Sequence, residues 1–455
     1  NSEGFNNLQK ICSQGFIDAD AMYYGKPRVD DEVLTQNCSG IIALSACLAG
    51  AIPERILADK YDEAKEKALH YRDLFGKDNF FLEIQDHNDK NEELVAQQLY
   101  KMSKETGIPL VATNDCHYTK TSDAEAHKIL LYMRDQKNIN CPSSDYGNGQ
   151  LYVKTSQEMA DLFPYATEAI ENTAKIADRC NVTIKFHETK MPKAPVPDGF
   201  TSTQFLTDMC QKGLKERYAG SNRLPELAKQ MSYELSVIDK MGYTDYFVIV
   251  TDYCRWARDN GVLVGPGRGS AAGSLVTYCS GITNVEPTKY NLVFERFLNP
   301  ERVSMPDIDV DFDNQYRYKV VDHVRDLYGN DNVSQIITFG TMASRKVIQS
   351  VGKVYGLEIA FYNHLASLVP EEQHMTLKIA LDTSPEFKTA YDTNSDAKLI
   401  IDMALKLEGL PCNTSKHAAG VIICDRPVVD YIPVARTKDG DLVSQYNMIE
   451  VEELG

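Results

Sequence analysis

The chain has 455 residues, too many for one compact core, so two to four domains are expected. Hydrophobic residues make up 43% of it, enough for sizeable cores, and no apolar run approaches the roughly 20 residues that a membrane-spanning helix needs. The formal net charge of −17, taken alone, argues against a chain that wraps nucleic acid with a uniformly basic surface.

The cysteines and the first residues of the sequence bear on where the protein works. Eleven cysteines are scattered without a CxxC pair, which favours a reducing compartment over a disulfide framework or a zinc ribbon. The sequence begins NSEGFNNLQK, without an initiator Met and without the basic and apolar regions of a signal peptide. We therefore expect a cytoplasmic protein and a segment of a longer chain.

The first 190 residues alternate between predicted strands and helices. Such alternation predicts an α/β domain with parallel strands. Asp115 and His117 follow the last of these strands, where α/β folds usually place their ligands. The predicted elements are a strand and a turn into a helix over 39–52, a helix over 60–76, a strand over 80–84, a helix over 92–106 and a strand over 109–115.

The rest of the chain divides into helical and strand-like regions. Residues 138–150 are a predicted loop, and the proline-rich stretch 187–203 predicts a domain boundary. Helical patterns cover roughly 204–260 and 340–410, and strand-like runs return from 418.

The aspartate segment, residues 304–312, reads SMPDIDVDF, and it is predicted to be a strand. Asp307, Asp309 and Asp311 alternate with apolar residues, which places three carboxylates on one face of a strand. Like charges side by side repel, and Mg²⁺ is a natural compensation because it binds carboxylate oxygens together with substrate phosphates. Two such ions about 3.5–4 Å apart can activate a hydroxyl and stabilise a leaving oxygen. The alternative is a solvated edge strand protected by acidic residues.

The glycine turn, residues 265–270, reads GPGRGS and lies between an apolar run and a predicted helix of small residues. Glycines let the backbone approach an anion, the helix start offers free N–H groups, and Arg268 can fork onto phosphate oxygens. The pattern is neither GxGxxG nor GxxxxGK[ST], so it supports neither a Rossmann site nor a P-loop. The alternative is a tight turn that needs glycine only for its backbone angles.

Together these stretches resemble the alpha-subunit family of bacterial DNA polymerase III, the C family of DNA polymerases. The resemblance covers nearly the whole chain, and the motifs occur in the family's order. The stretches that carry it are LSACLAGAIPERIL, FFLEIQDH, PLVATNDCHY, GVLVGPGRGSAAGSLV, NLVFERFLNPERVSMPDIDVDF, DNVSQIITFGTMASRKVI, IDMALKLEGL and SKHAAGVII.

The resemblance implies a set of site residues. It implies that Asp307 and Asp309 bind two catalytic Mg²⁺ ions, and that Asp311 is not a primary ligand. The residues implied to contact the incoming triphosphate are Arg268, Gly269, Ser270 and Arg302. The third catalytic aspartate and the fingers of the family are expected beyond Gly455, so the chain alone is predicted not to synthesise DNA.

The resemblance also implies an α/β and α+β multidomain fold. A truncated PHP-type (βα) barrel precedes a polymerase-beta-like nucleotidyltransferase palm, into which a mostly helical thumb is inserted. The expected bounds are 1–190 for the PHP part, 191–339 and 416–455 for the palm, and 340–415 for the thumb.

Three residues in the first domain match later metal ligands of the PHP (polymerase and histidinol phosphatase) domain. They are Cys47, Asp115 and His117, and the opening His-rich motifs of that domain would precede residue 1. In the full-length protein such a site would hold Zn²⁺ or Mn²⁺. The alternative for Cys47 is a buried small apolar residue.

The function implied is template-directed DNA synthesis from deoxynucleoside triphosphates on primer–template DNA. The implied partners are a proofreading exonuclease subunit, a sliding clamp and a clamp loader, with no membrane. Two alternatives stay open: a PHP-type metal-dependent phosphoesterase or 3′–5′ exonuclease in the first domain, and a non-catalytic scaffold that binds DNA or the exonuclease subunit.

Overall fold

A computed structural model describes residues 1–18, 22–23, 26–142, 148–301 and 305–455. The fold is mixed α/β, as predicted, and helices form the larger share of it. Two compact units can be distinguished. The first comprises residues 1–15, the described part of 20–184, and 338–415, and the second comprises the described parts of 16–19 and 185–337 with 416–455.

Nineteen α-helices and nine strands are formed by the described residues. The helices α1 to α19 are Ser2–Ile17, Asp31–Asn37, Ala51–Leu57, Tyr61–Phe75, Lys90–Thr106, Ala124–Arg134, Ser156–Leu162, Thr167–Arg179, Ser202–Arg217, Leu224–Lys240, Thr244–Asp259, Leu275–Ser280, Arg317–Tyr328, Ser344–Val354, Ile359–Ser367, Leu377–Thr383, Pro385–Thr393, Ser395–Leu407 and Met448–Glu453. The strands β1 to β9 are Met22–Tyr23, Lys26–Pro27, Ala43–Leu44, Phe80–Ile84, Leu110–Ala112, Val333–Thr341, Pro411–Ile423, Val434–Arg436 and Leu442–Ser444.

A parallel three-stranded sheet in the order β3-β4-β5 forms the centre of one core in the first unit. Its strands and the helix α5 confirm the predicted strand–helix alternation. Helix α5 begins where the Asp89 side chain accepts the N–H of Asn91, and it ends at Gly107, whose left-handed φ of 71° suits a glycine. Phe80 and Leu82 of β4 are fully buried against α5. The carboxyl ends of β4 and β5 therefore lie at one edge of the sheet.

A second core of the first unit is helical. Helices α14 to α18, predicted as the helical stretch 340–410, pack with α6 around fully buried side chains such as Val347, Phe387 and Ile400. Lys406 supports this packing by donating to the carbonyl of Ser122 at 2.8 Å. Residues 338–415 thus share a compact unit with residues far upstream in the sequence.

The second unit is built around helices α9 to α13. Helices α9 and α12 approach closely at Gly213, where a Cβ atom would lie 1.8 Å from the carbonyl oxygen of Cys279. The described residues also form a mixed sheet in the order β7-β6-β9-β8, with β6 parallel to β9. All eleven cysteines are free thiols. In the part of the chain that the structure describes, no helix combines the length and apolar character needed to cross a membrane.

Candidate active site at the aspartate segment and the glycine turn

The aspartate segment alternates in burial as its sequence predicted. Ile308 is 8% exposed and belongs to the main core of the second unit, and Val310 packs against the same core. Asp307 is exposed, and the side chains of Asp309 and Asp311 are 34% and 62% exposed. Apolar side chains therefore anchor the segment while its carboxylates remain accessible to solvent.

The prediction that this segment forms a strand is wrong. In its described part, the only pairing is one antiparallel bridge between Val264 and Phe312, beside a hydrogen bond of 2.8 Å from the Gly265 N–H to the Asp311 carbonyl. The pairing extends no further because the chain turns away at Gly267, whose φ of +106° is not that of a strand. Asp307 and Asp309 therefore lie outside any sheet of the described residues.

The glycine turn adopts a backbone that requires glycine at two positions. Gly267 has a φ of +106° and Gly269 a φ of +66°, angles that residues with a Cβ rarely adopt. The predicted helix after the turn is split into a 3₁₀ turn, Ser270–Gly273, and the helix α12. The split occurs at Ser274. Its backbone is extended and so interrupts the helix, and its side chain caps α12 by accepting the Thr277 N–H.

The glycine turn and the aspartate segment lie against each other. A Cβ on Gly269 would lie 3.5 Å from Oδ2 of Asp309. The Arg268 guanidinium donates from Nη1 to Oδ2 of Asp309 at 2.9 Å and from Nε to Oδ1 of Asp311 at 3.2 Å. The structure thus brings together the two motifs that the sequence singled out separately.

Arg268 supplies part of the positive charge that the aspartate segment needs. Its side chain is 54% exposed, and exposed ion pairs of this kind contribute only about 0.2–1 kcal/mol. The guanidinium can therefore exchange its carboxylate partners for the oxygens of a phosphate at small cost. Ser270 is exposed beside it, whereas Arg302 lies outside the described residues.

Tyr246 is a residue of this site that sequence reasoning missed. Its hydroxyl accepts the backbone N–H of Ile308, between the two leading aspartates, at 3.3 Å. Burial raises the pKa of Tyr246 to about 12, and the charges of Asp307 and Asp309 add to the increase. The phenol therefore stays protonated at neutral pH beside the two carboxylates.

The donor set of the aspartate segment fits Mg²⁺ in one of its usual protein environments. Mg²⁺ is commonly held by one or two carboxylates plus water and substrate phosphates, without a cage made only of protein. Asp307 and Asp309 supply two accessible carboxylates of this kind. Within the described residues, no group of three or more His, Cys, Asp or Glu side chains is arranged to hold a metal ion.

The three residues that match PHP ligands lie near the edge of the parallel sheet. Asp115 and His117 follow β5, are exposed, and are joined by a contact of 2.7 Å between Nδ1 of His117 and the Asp115 carbonyl. Asp115 has a φ of +41°, which is unusual for a residue with a side chain. Cys47 is half-buried in the segment between β3 and α3. Cys47, Asp115 and His117 do not form a metal-holding group in the described structure.

A buried polar cluster at the same sheet edge was also missed. His87 is 1% exposed, with Nδ1 at 2.8 Å from Oε1 of Glu92 and Nε2 at 2.8 Å from the Asn114 carbonyl. Burial alone lowers the pKa of His87, but the hydrogen bonds to Glu92 and Asn114 outweigh it and leave that pKa raised. Lys154 donates to the Asn114 side chain at 2.8 Å. The cluster fixes the backbone immediately before Asp115.

Two family models match the chain, and several curated proteins align with nearly all of it. The family model described as the bacterial DNA polymerase III alpha NTPase domain matches residues 204–455, and the PHP domain model matches residues 1–87. All of the chain aligns at 40% identity with 38% of the DNA polymerase III subunit alpha of Treponema pallidum, and at 38% identity with 40% of that of Escherichia coli. The subunit alpha of Thermus aquaticus is 38% identical over 99% of the chain and 42% of its own length.

The chain thus spans about two fifths of the length of these curated relatives. The polymerase match covers both the glycine turn and the aspartate segment, and it extends over more than half of the chain. The chain therefore belongs to the family of bacterial DNA polymerase III alpha subunits.

Proposed function

We propose that the chain is the part of a template-directed DNA polymerase that holds the catalytic metals and the incoming nucleotide. The observation that carries the proposal is the contact of 2.9 Å between Arg268, in a glycine-rich turn, and Asp309, in a segment of accessible carboxylates. Nucleotidyl transfer needs carboxylates for metal ions and a phosphate-binding turn within reach of each other.

Each residue of the site has a role in this proposal. Asp307 and Asp309 would hold two Mg²⁺ ions, whose charge would activate the primer 3′-hydroxyl and stabilise the departing pyrophosphate. Arg268 leaves its carboxylate partners and donates to the triphosphate. Gly269 lets the backbone of the turn approach the phosphates, and Ser270 donates to them. Arg302 is proposed to bind the same triphosphate.

The domain assignment is part of the proposal. Residues 1–190 would belong to a PHP-type (βα) barrel, 191–339 and 416–455 to a polymerase-beta-like palm, and 340–415 to a thumb that grips the duplex. The parallel β3-β4-β5 sheet supports the first assignment, and the helical composition of α14 to α18 supports the last. A third carboxylate and the fingers would lie past Gly455.

The partners and the location follow from the same proposal. Primer–template DNA and deoxynucleoside triphosphates are the substrates, and a proofreading exonuclease subunit, a sliding clamp and a clamp loader are the partners. The free state of all eleven cysteines supports a reducing cytoplasm as the location.

Primer extension tests the proposal. The extended chain, meaning this sequence together with the residues encoded after Gly455, is assayed with Mg²⁺ and all four deoxynucleotides. We expect elongation by the wild-type chain and none by Asp307→Asn or Asp309→Asn. Asp326→Asn, which changes an exposed aspartate of α13 outside both motifs, is the matched control and keeps full activity. Elongation by Asp307→Asn would refute the proposal and leave a scaffold role for this region.

A second candidate function is a metal-dependent phosphoesterase or 3′–5′ exonuclease in the first unit. The match of residues 1–87 to the PHP domain and the buried His87–Glu92 pair beside Asp115 favour it. This activity would be insensitive to Asp307→Asn and lost in His87→Ala. Shortening of a labelled single strand with Mn²⁺ or Zn²⁺, compared between these two variants, separates it from DNA synthesis.

A further inference from the structure

Glu234, in the middle of α10, is a buried carboxylate with several hydrogen-bond donors around it. Glu234 is 1% exposed. Oε2 accepts the Ser274 hydroxyl at 2.8 Å and the Val276 N–H at 3.0 Å, and Oε1 accepts the Gln230 amide at 3.1 Å. Burying a carboxylate costs free energy unless hydrogen bonds such as these replace the ones it made to water. We therefore expect this residue to have a structural role that offsets the cost.

The carboxylate of Glu234 lies where an anion is favoured. It meets the first N–H groups of α12, the end at which the helix dipole attracts negative charge. Burial raises the pKa of Glu234, and the hydrogen bonds from Val276, Gln230 and Ser274 offset only part of this increase, so the pKa stays above its ordinary value. The opposite end of α12 is held by a guanidinium, since Nε of Arg255 donates to the Ser280 carbonyl at 3.1 Å. Helix α12 is therefore fixed at both ends by the side chains of Glu234 and Arg255.

A chain of hydrogen bonds connects Glu234 to the glycine turn. Ser274, which donates to Glu234, also accepts the Thr277 N–H at 3.2 Å. The Thr277 hydroxyl donates to the carbonyl of Ala271 at 2.7 Å, and Ala271 directly follows the last residue of the turn. The backbone at Gly273, between Ala271 and Ser274, packs closely on the Val293 carbonyl. A Cβ atom on Gly273 would lie 2.9 Å from that carbonyl oxygen.

We infer that Glu234 is a positioning residue for the triphosphate of the incoming nucleotide, acting through Ser274 and the start of α12 on Arg268, Gly269 and Ser270. The inference rests on the proposed function, because it needs the glycine turn to bind phosphate. Glu234 itself does not reach the substrate. Its own contacts are with Ser274 and Val276, just after the turn, whereas the turn itself meets Asp309. An apolar side chain at this position would fill the core but would leave the Val276 N–H without an acceptor.

Steady-state kinetics of single-nucleotide incorporation by the extended chain test the inference. We compare Glu234→Ala and Glu234→Gln with Glu226→Ala, which removes an exposed glutamate from the same helix. We expect the KM for the deoxynucleotide to rise by about tenfold in Glu234→Ala, while kcat and the Kd for primer–template change by less than about threefold. Glu234→Gln should restore most of the KM, because its amide oxygen can accept from Ser274 and Val276.

Three results distinguish the ways in which the inference can fail. A folded Glu234→Ala chain with a KM within twofold of the wild-type value overturns it, as does an equal weakening of nucleotide and primer–template binding. If Glu234→Ala does not fold, Ser274→Ala decides: a KM increase of about threefold supports the inference, and an unchanged KM overturns it.

Failure of the proposed function looks different, since the wild-type chain would then incorporate no nucleotide or Asp307→Asn would remain active.

Discussion

Replacing Tyr246 by phenylalanine removes a single oxygen atom from the candidate site and leaves the ring in place. The Ile308 N–H then loses its acceptor, which lies at 3.3 Å. A neutral hydrogen bond contributes about 0.5–1.5 kcal/mol, and a buried donor left without a partner costs about 1–3 kcal/mol. The long distance favours the lower end, so we expect the free energy of unfolding to fall by about 1 kcal/mol. For a unit of this size, that is a decrease in Tm of roughly 2–4 °C.

Tryptophan fluorescence measures this change in the free energy of unfolding in the second unit, where Tyr246 lies. The chain has one tryptophan, Trp256, which lies in α11 with Tyr246 and stacks on His323 at 4.5 Å between ring centroids. Its signal during urea unfolding therefore reports on the second unit. Tyr318→Phe is the control, because Tyr318 is 59% exposed, and it should change the free energy of unfolding by less than about 0.5 kcal/mol. Equal effects of the two substitutions would refute the assigned role of the Tyr246 hydroxyl.

Two further predictions concern the same unit. Gly267→Ala should lower the free energy of unfolding of this unit by about 1–3 kcal/mol more than Gly220→Ala does. Both glycines have a positive φ, but only at Gly267 would the new Cβ lie 2.8 Å from a side chain, that of Thr283. Equal urea midpoints of the two variants would contradict this prediction. The pKa of Asp441 lies below its ordinary value of about 3.9, because Lys416 and a neighbouring arginine donate hydrogen bonds to its carboxylate. Its stabilising effect is therefore present above about pH 4 and is lost as the pH falls through the folded-state pKa. Wild-type protein should accordingly exceed Asp441→Asn in urea midpoint at pH 7, and the difference should shrink toward pH 3; a difference that stays constant would contradict the ion pair.

Elements with a strong local pattern were predictable from the sequence. The apolar run FFLEI forms β4 at Phe80–Ile84, and the helix predicted over 60–76 is Tyr61–Phe75. The alternation in the aspartate segment correctly predicted that Ile308 is buried and Asp307 exposed. The helix and the aspartate segment follow from side-chain periodicity, whereas β4 is a short continuous apolar run buried on both faces.

The parts that depend on distant residues were not predictable. The acceptor for Ile308 lies 62 residues away at Tyr246, and the partner of Ser274 lies 40 residues away at Glu234. Both residues occupy helices whose apolar spacing predicts a core position and gives no sign of a polar contact. The failure of the strand at the aspartate segment has a similar origin, because the chain that would pair with it turns away at Gly267, in another part of the sequence.

Incorporation of a single nucleotide by the extended chain, followed as a function of Mg²⁺ concentration, tests the central assignment most directly. If Asp309 holds a catalytic metal beside the glycine turn, Asp309→Asn should lower kcat by on the order of 10³-fold, equivalent to about 4 kcal/mol of transition-state stabilisation. Asp326→Asn should match the wild-type chain at every Mg²⁺ concentration. Incorporation by Asp309→Asn within tenfold of the wild-type rate would show that the catalytic carboxylates lie elsewhere.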